Sequence, residues 1–256
     1  MAMIHMEPQT LQLFERVLGT LKPPPNLTLS QWADKYRRLS AEASSAKGQW
    51  NTDNAPFQRE IMDAIGDVHI RKVVAMMCAQ AGKTEGLILY TGGFYMSYYP
   101  APIMIVQPTV NLGESFSKDR LATMIRDTPI LRGLVDNISR YSGNTITKKN
   151  FPGGQLTIIG ANSPTDLRGR PIKVLLADEV DAYKASAGKE GDPIMLAEER
   201  QTTYWDHITV LVSTPTTKAS SRILDEFNAS TQEEWNIPCP NCGKYQPFVW
   251  DGMVFD

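Results

Sequence analysis

The chain has 256 residues, 42% of them hydrophobic and 21% charged, which places it with globular α/β-sized domains and excludes disordered and fibrous classes. Its formal net charge is −2. An autonomous, tight nucleic-acid binder would be basic, so this balance leaves only a local patch, or a ring of subunits, to grip a polyanion transiently.

The pattern along the chain predicts a helical prelude over residues 8–40. Leu11, Leu13, Phe14, Val17, Leu18 and Leu21 approximate helical spacing, and Lys22–Pro25 stops the run. Ser30 reads as the N-cap of a second helix, Gln31–Leu39. Residues 41–55 are polar and small, as loops are. Phe57–Ile65 then reads as a helix, Lys72–Cys78 as a buried strand, and Thr84–Tyr98 as a helix despite Gly92-Gly93. Pro102–Gln107 follows as a strand and Val110–Arg126 as a helix. Thr145–Lys148 and Leu156–Ile159 form a candidate strand pair around the Pro152-Gly153-Gly154 turn. Ile172–Ala177 is a continuous apolar strand, Ile194–Thr203 a helix and His207–Val212 a further buried strand. Strands apolar on both faces, alternating with helices, imply a mainly parallel sheet flanked by helices on both sides. No apolar run is long enough to cross a bilayer. The N-terminus lacks the basic-then-apolar pattern of a signal peptide. Three cysteines are no disulfide framework and fit a reducing cytoplasm.

The first chemical signal is Cys78-Ala79-Gln80-Ala81-Gly82-Lys83-Thr84 between a strand and a helix. Phosphate-binding loops need that strand–turn–helix context, because backbone N–H groups of the turn and the helix start then point at anionic oxygens. Gly82 lets the main chain approach, Lys83 neutralises the β- and γ-phosphates, and the Thr84 hydroxyl ligates Mg²⁺. Ala79, Gln80, Ala81 and Glu85 complete the run expected to line the nucleotide. The pattern is incomplete, since Met77 stands where an earlier glycine is usual, and the tripeptide alone also fits a helix start with an exposed lysine.

Val174-Leu175-Leu176-Ala177-Asp178-Glu179 is the second signal. It places Asp178 at the carboxyl end of an apolar strand, where ligands bind in open α/β sheets. Asp178 is then the Mg²⁺ ligand, and Glu179 the base that orients and deprotonates the attacking water. Alone, the pair also fits a solvated strand cap. Together with the upstream lysine loop it predicts a P-loop NTPase of the additional-strand, RecA-like type, using ATP and Mg²⁺.

Weaker features fall in matching order. Gln58 is a candidate to read the adenine edge, with Phe57 or Trp50 stacking on the base. Ser213 and Thr214 end the strand before Pro215 and are candidate coupling residues that sense the γ-phosphate. Gln107-Pro108-Thr109 ends another strand and is a candidate to tie ATP state to a DNA-facing loop, with a plain turn the preferred reading. Arg168 is the first candidate for a transition-state arginine and Arg222 the second, with a structural ion pair the alternative for both. Cys239-Pro240-Asn241-Cys242-Gly243 has the spacing of half a zinc site. No second pair follows, so zinc is not expected in this chain alone, and Cys78 reads as a small buried residue.

Taken in order, several runs resemble the lambda-type tailed-phage terminase large subunit: Leu29-Ser30-Gln31-Trp32-Ala33, Pro56-Phe57-Gln58-Arg59-Glu60-Ile61-Met62, Ala79–Glu85, Arg168-Gly169, Asp178-Glu179-Val180-Asp181, Ser213-Thr214-Pro215-Thr216, Ser221-Arg222-Ile223 and Pro238–Gly243. The resemblance implies an N-terminal helical segment (1–45), a P-loop ATPase core (46–232) and the start of a β-rich, zinc-ribbon-like linker (233–256), with a nuclease domain expected outside this chain. It further implies a packaging ATPase acting on double-stranded DNA with a small terminase subunit and a portal protein. The motor would self-associate into a ring on the portal, in the host cell cytoplasm. In related terminases the arginine just ahead of the Asp-Glu strand acts in trans on a neighbour's ATP, which would assign that task to Arg168, and Ala79, where many terminases carry an intramolecular arginine, favours the same reading. A helicase-like or other RecA-like translocase is the alternative enzyme. A nucleotide-binding assembly module without turnover is the alternative of another class, and Glu179 argues against it.

Overall fold

The computed structural model describes residues 10, 26–40, 42, 47–135 and 143–247. The helix expected from Leu11 to Leu21 lies outside the described residues. The first described helix is α1 (Leu29–Tyr36), and its cap is Thr28 rather than Ser30. The Thr28 hydroxyl accepts from the Gln31 N–H, and the Gln31 amide oxygen accepts from the Thr28 N–H, a reciprocal capping box. Ser30 sits inside the first turn and donates its own N–H to Asp63 Oδ1 (3.0 Å). The helix stops short of Leu39 because Arg37 turns extended, leading into a two-residue ribbon of β1 (Arg38–Leu39) and β2 (Gly48–Gln49). A 3₁₀ turn (Pro56–Gln58) then leads into α2 (Arg59–Gly66).

The core is a six-stranded sheet of β3 (Lys72–Met76), β4 (Ile103–Gln107), β5 (Lys148–Phe151), β6 (Gly154–Gly160), β7 (Val174–Asp178) and β8 (Ile208–Ser213), in the order β3-β8-β7-β4-β6-β5. All neighbours are parallel except the hairpin β5–β6. Every residue of β4, β7 and β8 is buried, as continuous apolar runs require when helices cover both faces. β3 differs from expectation. It is an edge strand, only Ala75 of it is fully buried, and it ends at Met76, which leaves Cys78 exposed in the following turn rather than buried. The β5–β6 hairpin also closes more tightly than the residue pattern suggested: β5 lies later and β6 begins earlier, because Pro152-Gly153 alone makes the turn, with Gly153 at φ 86.

Alternate residues of the strands feed separate cores. Ile103, Ile105, Val174, Leu176, Val210 and Val212 face one cluster, together with α1, α2 and the helix after β3. Met104, Val106, Leu175, Ala177 and Leu211 face the other, covered by α6 (Pro164–Leu167), α7 (Pro193–Glu198) and α8 (Arg222–Asn228). The helix after β3 begins with a π-wound stretch, Thr84–Leu89, and continues as α3 (Tyr90–Ser97). Gly92-Gly93 sits inside this helix for a packing reason. A Cβ at Gly93 would meet the Trp32 ring at 2.6 Å, so the glycine lets α1 lie against α3. After β4 come α4 (Val110–Phe116), a π-wound stretch (Ser117–Leu121) and α5 (Ala122–Asp127). A separate antiparallel pair, β9 (Asn236–Pro238) and β10 (Tyr245–Pro247), carries the two late cysteines on its turn.

Candidate nucleotide site

The carboxyl ends of β3, β7, β8 and β4 converge. From β3 the chain enters a turn in which Gln80 (φ 64) and Gly82 (φ 74) adopt left-handed backbone, and Lys83 then starts the helix. Such a turn directs successive N–H groups to one side, the arrangement that holds an anion. Lys83 is buried, and its Nζ lies 2.9 Å from both Glu179 Oε1 and Thr214 Oγ1. The Thr84 hydroxyl lies 3.3 Å from Asp178 Oδ1. The lysine loop, the acidic strand end and the Ser213-Thr214 strand end therefore meet at one point.

Asp178 is 3% exposed. Burial pushes its carboxyl above the ordinary range, with the Glu179 charge adding to the effect, against hydrogen bonds from Gln107 and Thr84 and the charge of Lys83. A buried carboxylate beside a hydroxyl, at the mouth of an anion-binding turn, fits a hard divalent cation that takes oxygen ligands. Among the described residues no group of three or more His, Cys, Asp or Glu side chains gathers to hold a metal on its own. Glu179 itself sits at φ 53, an unusual conformation for a non-glycine residue, which turns its carboxylate off the strand axis toward Lys83.

Gln107 does more than end a turn. Its Nε2 donates to Asp178 Oδ2 at 3.2 Å, which puts the end of β4 inside the cluster. Its position, last in the buried apolar strand Ile103–Gln107, mirrors that of Asp178 in β7, and that parallel is the signal in the sequence.

Two expected roles change. Gln58 is buried, and its amide Nε2 donates to the Ala81 carbonyl at 2.6 Å, so the amide buttresses the phosphate loop from behind instead of presenting an edge to a base. Glycines make room for it: a Cβ at Gly82 in the loop would meet Gln58 Nε2 at 2.8 Å, and one at Gly86 in the helix that follows would meet Gln58 Oε1 at 2.1 Å. Glu85 turns its carboxylate away from the loop to pair with Arg37, a buried arginine that the sequence did not single out. Of the two aromatic candidates, Trp50 packs edge-on against Tyr90 and donates to the Thr52 hydroxyl. Phe57 stays half-buried, edge-on to Trp235.

The two arginines separate. Arg222 is tied to Asp192 and to the Lys184 carbonyl, a structural arrangement at the start of α8. Arg168 follows α6, is 47% exposed, and pairs with Glu190. At the β9–β10 turn, the N–H groups of Cys242 and Asn241 hold the Cys239 thiol below its ordinary value.

In the sheet order, β8 lies between the strand before the phosphate loop (β3) and the strand that ends in Asp178 (β7). That inserted strand, together with the Asp178-Glu179 pair at the end of β7, defines a P-loop NTPase of the additional-strand class. Residues 44–256 match the family described as phage terminase large subunit gpA, ATPase domain, and the chain belongs to that family. It is 31% identical over 234 residues to the terminase large subunit of Enterobacteria phage P21, across 90% of this chain and 36% of that protein. It is 28% identical over 233 residues to the terminase large subunit of Escherichia phage lambda, again across 90% and 36%. The chain thus spans about a third of the length of these relatives. The crystal structure of the HK97 bacteriophage large terminase has the same fold, with a TM-score of 0.63 at 14% identity over 80% of this chain and 42% of that one.

Proposed function

We propose that this domain hydrolyses ATP to drive double-stranded DNA into a phage procapsid. The observation that carries the reading is the convergence of Lys83 Nζ on Glu179 Oε1 at 2.9 Å, beside the Thr84–Asp178 contact at 3.3 Å. The turn from Ala79 to Thr84 cradles the phosphates through its N–H groups, and Lys83 offsets the charge of the β- and γ-phosphates. Thr84 and Asp178 would hold Mg²⁺, which supplies charge neutralisation across the transferring phosphoryl group when bound. Glu179 orients a water and takes its proton. Ser213 and Thr214 report the state of the phosphates to the segment beyond β8.

The transition-state arginine is Arg168, acting on a neighbour's nucleotide. Its half-exposed pair with Glu190 is the kind that contributes about 0–1 kcal/mol and exchanges readily. Arg222, by contrast, is held on two sides within its own chain. The working assembly is a ring of copies on the portal protein, loaded by a small terminase subunit, in the host cell cytoplasm.

The decisive measurement is ATP turnover and nucleotide affinity in paired variants. Lys83→Ala loses both, and unchanged affinity there would remove the phosphate-loop role. Mixing Arg168→Ala chains with Lys83→Ala chains restores part of the turnover if the arginine acts in trans. No recovery under conditions that demonstrably assemble the chains would sink that role.

A further inference from the structure

Asp181 lies two residues beyond Glu179, and none of the nucleotide chemistry above uses it. Its carboxylate nonetheless accepts hydrogen bonds from the segment after β8: from the Thr216 N–H (2.8 Å) and Thr216 hydroxyl (2.9 Å) at Oδ2, and from the Ile223 N–H (2.7 Å) at Oδ1. Its own N–H donates to Ser213 Oγ at 3.2 Å. Burial resists its ionisation, yet the bonds from Ile223, Ser221 and Thr216 together hold the carboxyl below its ordinary range.

These contacts close a circuit. Lys83 Nζ touches Glu179 on one side and Thr214 on the other. Glu179 runs through Val180 to Asp181, and Thr214 runs through Pro215 to Thr216, where Asp181 ties the two ends together. Glu179 stands in left-handed backbone at φ 53, a conformation that persists only where its surroundings over-determine it. Val180 and Ile223, on either side of the tie, are fully buried, whereas Thr216 is exposed. The Asp181 bonds to Thr216 are therefore the part of this junction that packing does not already secure. The other bond reaches Ile223, in the first turn of α8, which packs on β3.

We propose that Asp181 is a positioning residue that fastens the Glu179 turn to the 214–223 segment, so that the water-activating carboxylate and the Thr214 hydroxyl move as one body and pass nucleotide state to α8. The proposal rests on the hydrolase reading of the site. A base displaced by about 1 Å loses about 10²-fold in rate without losing the ligand it faces. A residue that only stabilised the fold would affect binding, turnover and melting together.

The test compares Asp181→Asn, Thr216→Val and their combination in the full chain. Asparagine keeps the shape but retains one acceptor oxygen, so Thr216 and Ile223 are no longer both served. Expected for Asp181→Asn are nucleotide affinity within about twofold, a kcat lower by about 10²-fold, and a smaller loss for Thr216→Val. The double variant is expected to be no slower than Asp181→Asn, since both break one link. Hydrogen exchange over residues 214–223 gains protection on adding an ATP analogue with Mg²⁺ in the unaltered chain, and loses that response in Asp181→Asn. The proposal is overturned if Asp181→Asn turns over normally while Glu179→Gln is inactive in the same assay, or if affinity and melting temperature fall in step with kcat. Should Asp181→Asn not fold, Thr216→Val decides: unchanged kcat and an intact exchange response overturn the proposal. Turnover surviving in Glu179→Gln instead removes the hydrolase reading itself.

Discussion

Two charged clusters hang from the first turn of the same helix, and they do opposite jobs. Lys83 and Glu85 are two residues apart, so their side chains leave the helix on opposite sides. Lys83 faces the strand ends and pairs with Glu179, whose side chain is 41% exposed. Glu85 faces inward and pairs with Arg37, which is 1% exposed, also donates to Thr128, and lies over the Tyr90 ring at 5.2 Å. The outer pair is one a phosphate can displace, because Glu179 regains water when it lets go. The inner pair has no such exit, since separating it strands a charge in the core. Two residues of one helical turn thus divide the labour: Lys83 makes an accessible ion pair at the strand ends, and Glu85 a buried one that pins the helix.

This contrast breaks if the pairs respond alike to mutation. The largest effect belongs to the outer pair. Glu179→Gln is expected to lower turnover by about 10²–10⁴-fold while nucleotide still binds and the melting temperature holds; a fall in thermal stability comparable to a core mutant would erase the distinction. Next comes the inner pair. Arg37→Met leaves Glu85 unpaired and is expected to cost about 3–5 kcal/mol in chemical denaturation, and the Arg37→Met, Glu85→Leu combination recovers most of it. If the double variant is as unstable as the single one, the pair is not what pins the helix.

Smaller effects sharpen the picture of how α1 and α3 carry the loop. Gly93→Ala drives a methyl into the Trp32 ring and is expected to cost about 1–3 kcal/mol, measured as a lower denaturation midpoint with unchanged turnover per folded molecule. Thr28→Ala removes the α1 cap and costs about 1 kcal/mol, whereas Ser30→Ala, which leaves the Thr28–Gln31 box intact, costs less. The reverse order would restore Ser30 as the cap.

Expectation and structure agreed where the signal was local. The phosphate loop needs a strand, a tight turn and a helix start in immediate succession, so Ala79–Thr84 declares itself as a contiguous run. The same holds for Asp178-Glu179 at the end of a strand that is apolar at every position. Predominant apolarity is also why β4, β7 and β8 read as strands, with Thr209 the one polar interruption inside β8. β3 misled because apolar composition does not distinguish an edge strand from a central one; that depends on which strand pairs with it.

What the sequence determined by itself, then, is the strand–turn–helix run at Ala79–Thr84, the acidic end of the apolar strand at Asp178 and the α/β class, since these follow from short-range backbone geometry and from the period of the apolar residues. Only tertiary structure decided the partners: Gln107 on Asp178, Arg37 on Glu85, Gln58 behind Ala81, Asp181 on Ile223, and Arg222 bound at home while Arg168 faces outward. The first four of these contacts join residues 71, 48, 23 and 42 positions apart. Periodicity reports that a side chain is buried, and residue type reports what it can bond. Which distant group arrives to meet it is set by the order in which the strands assemble.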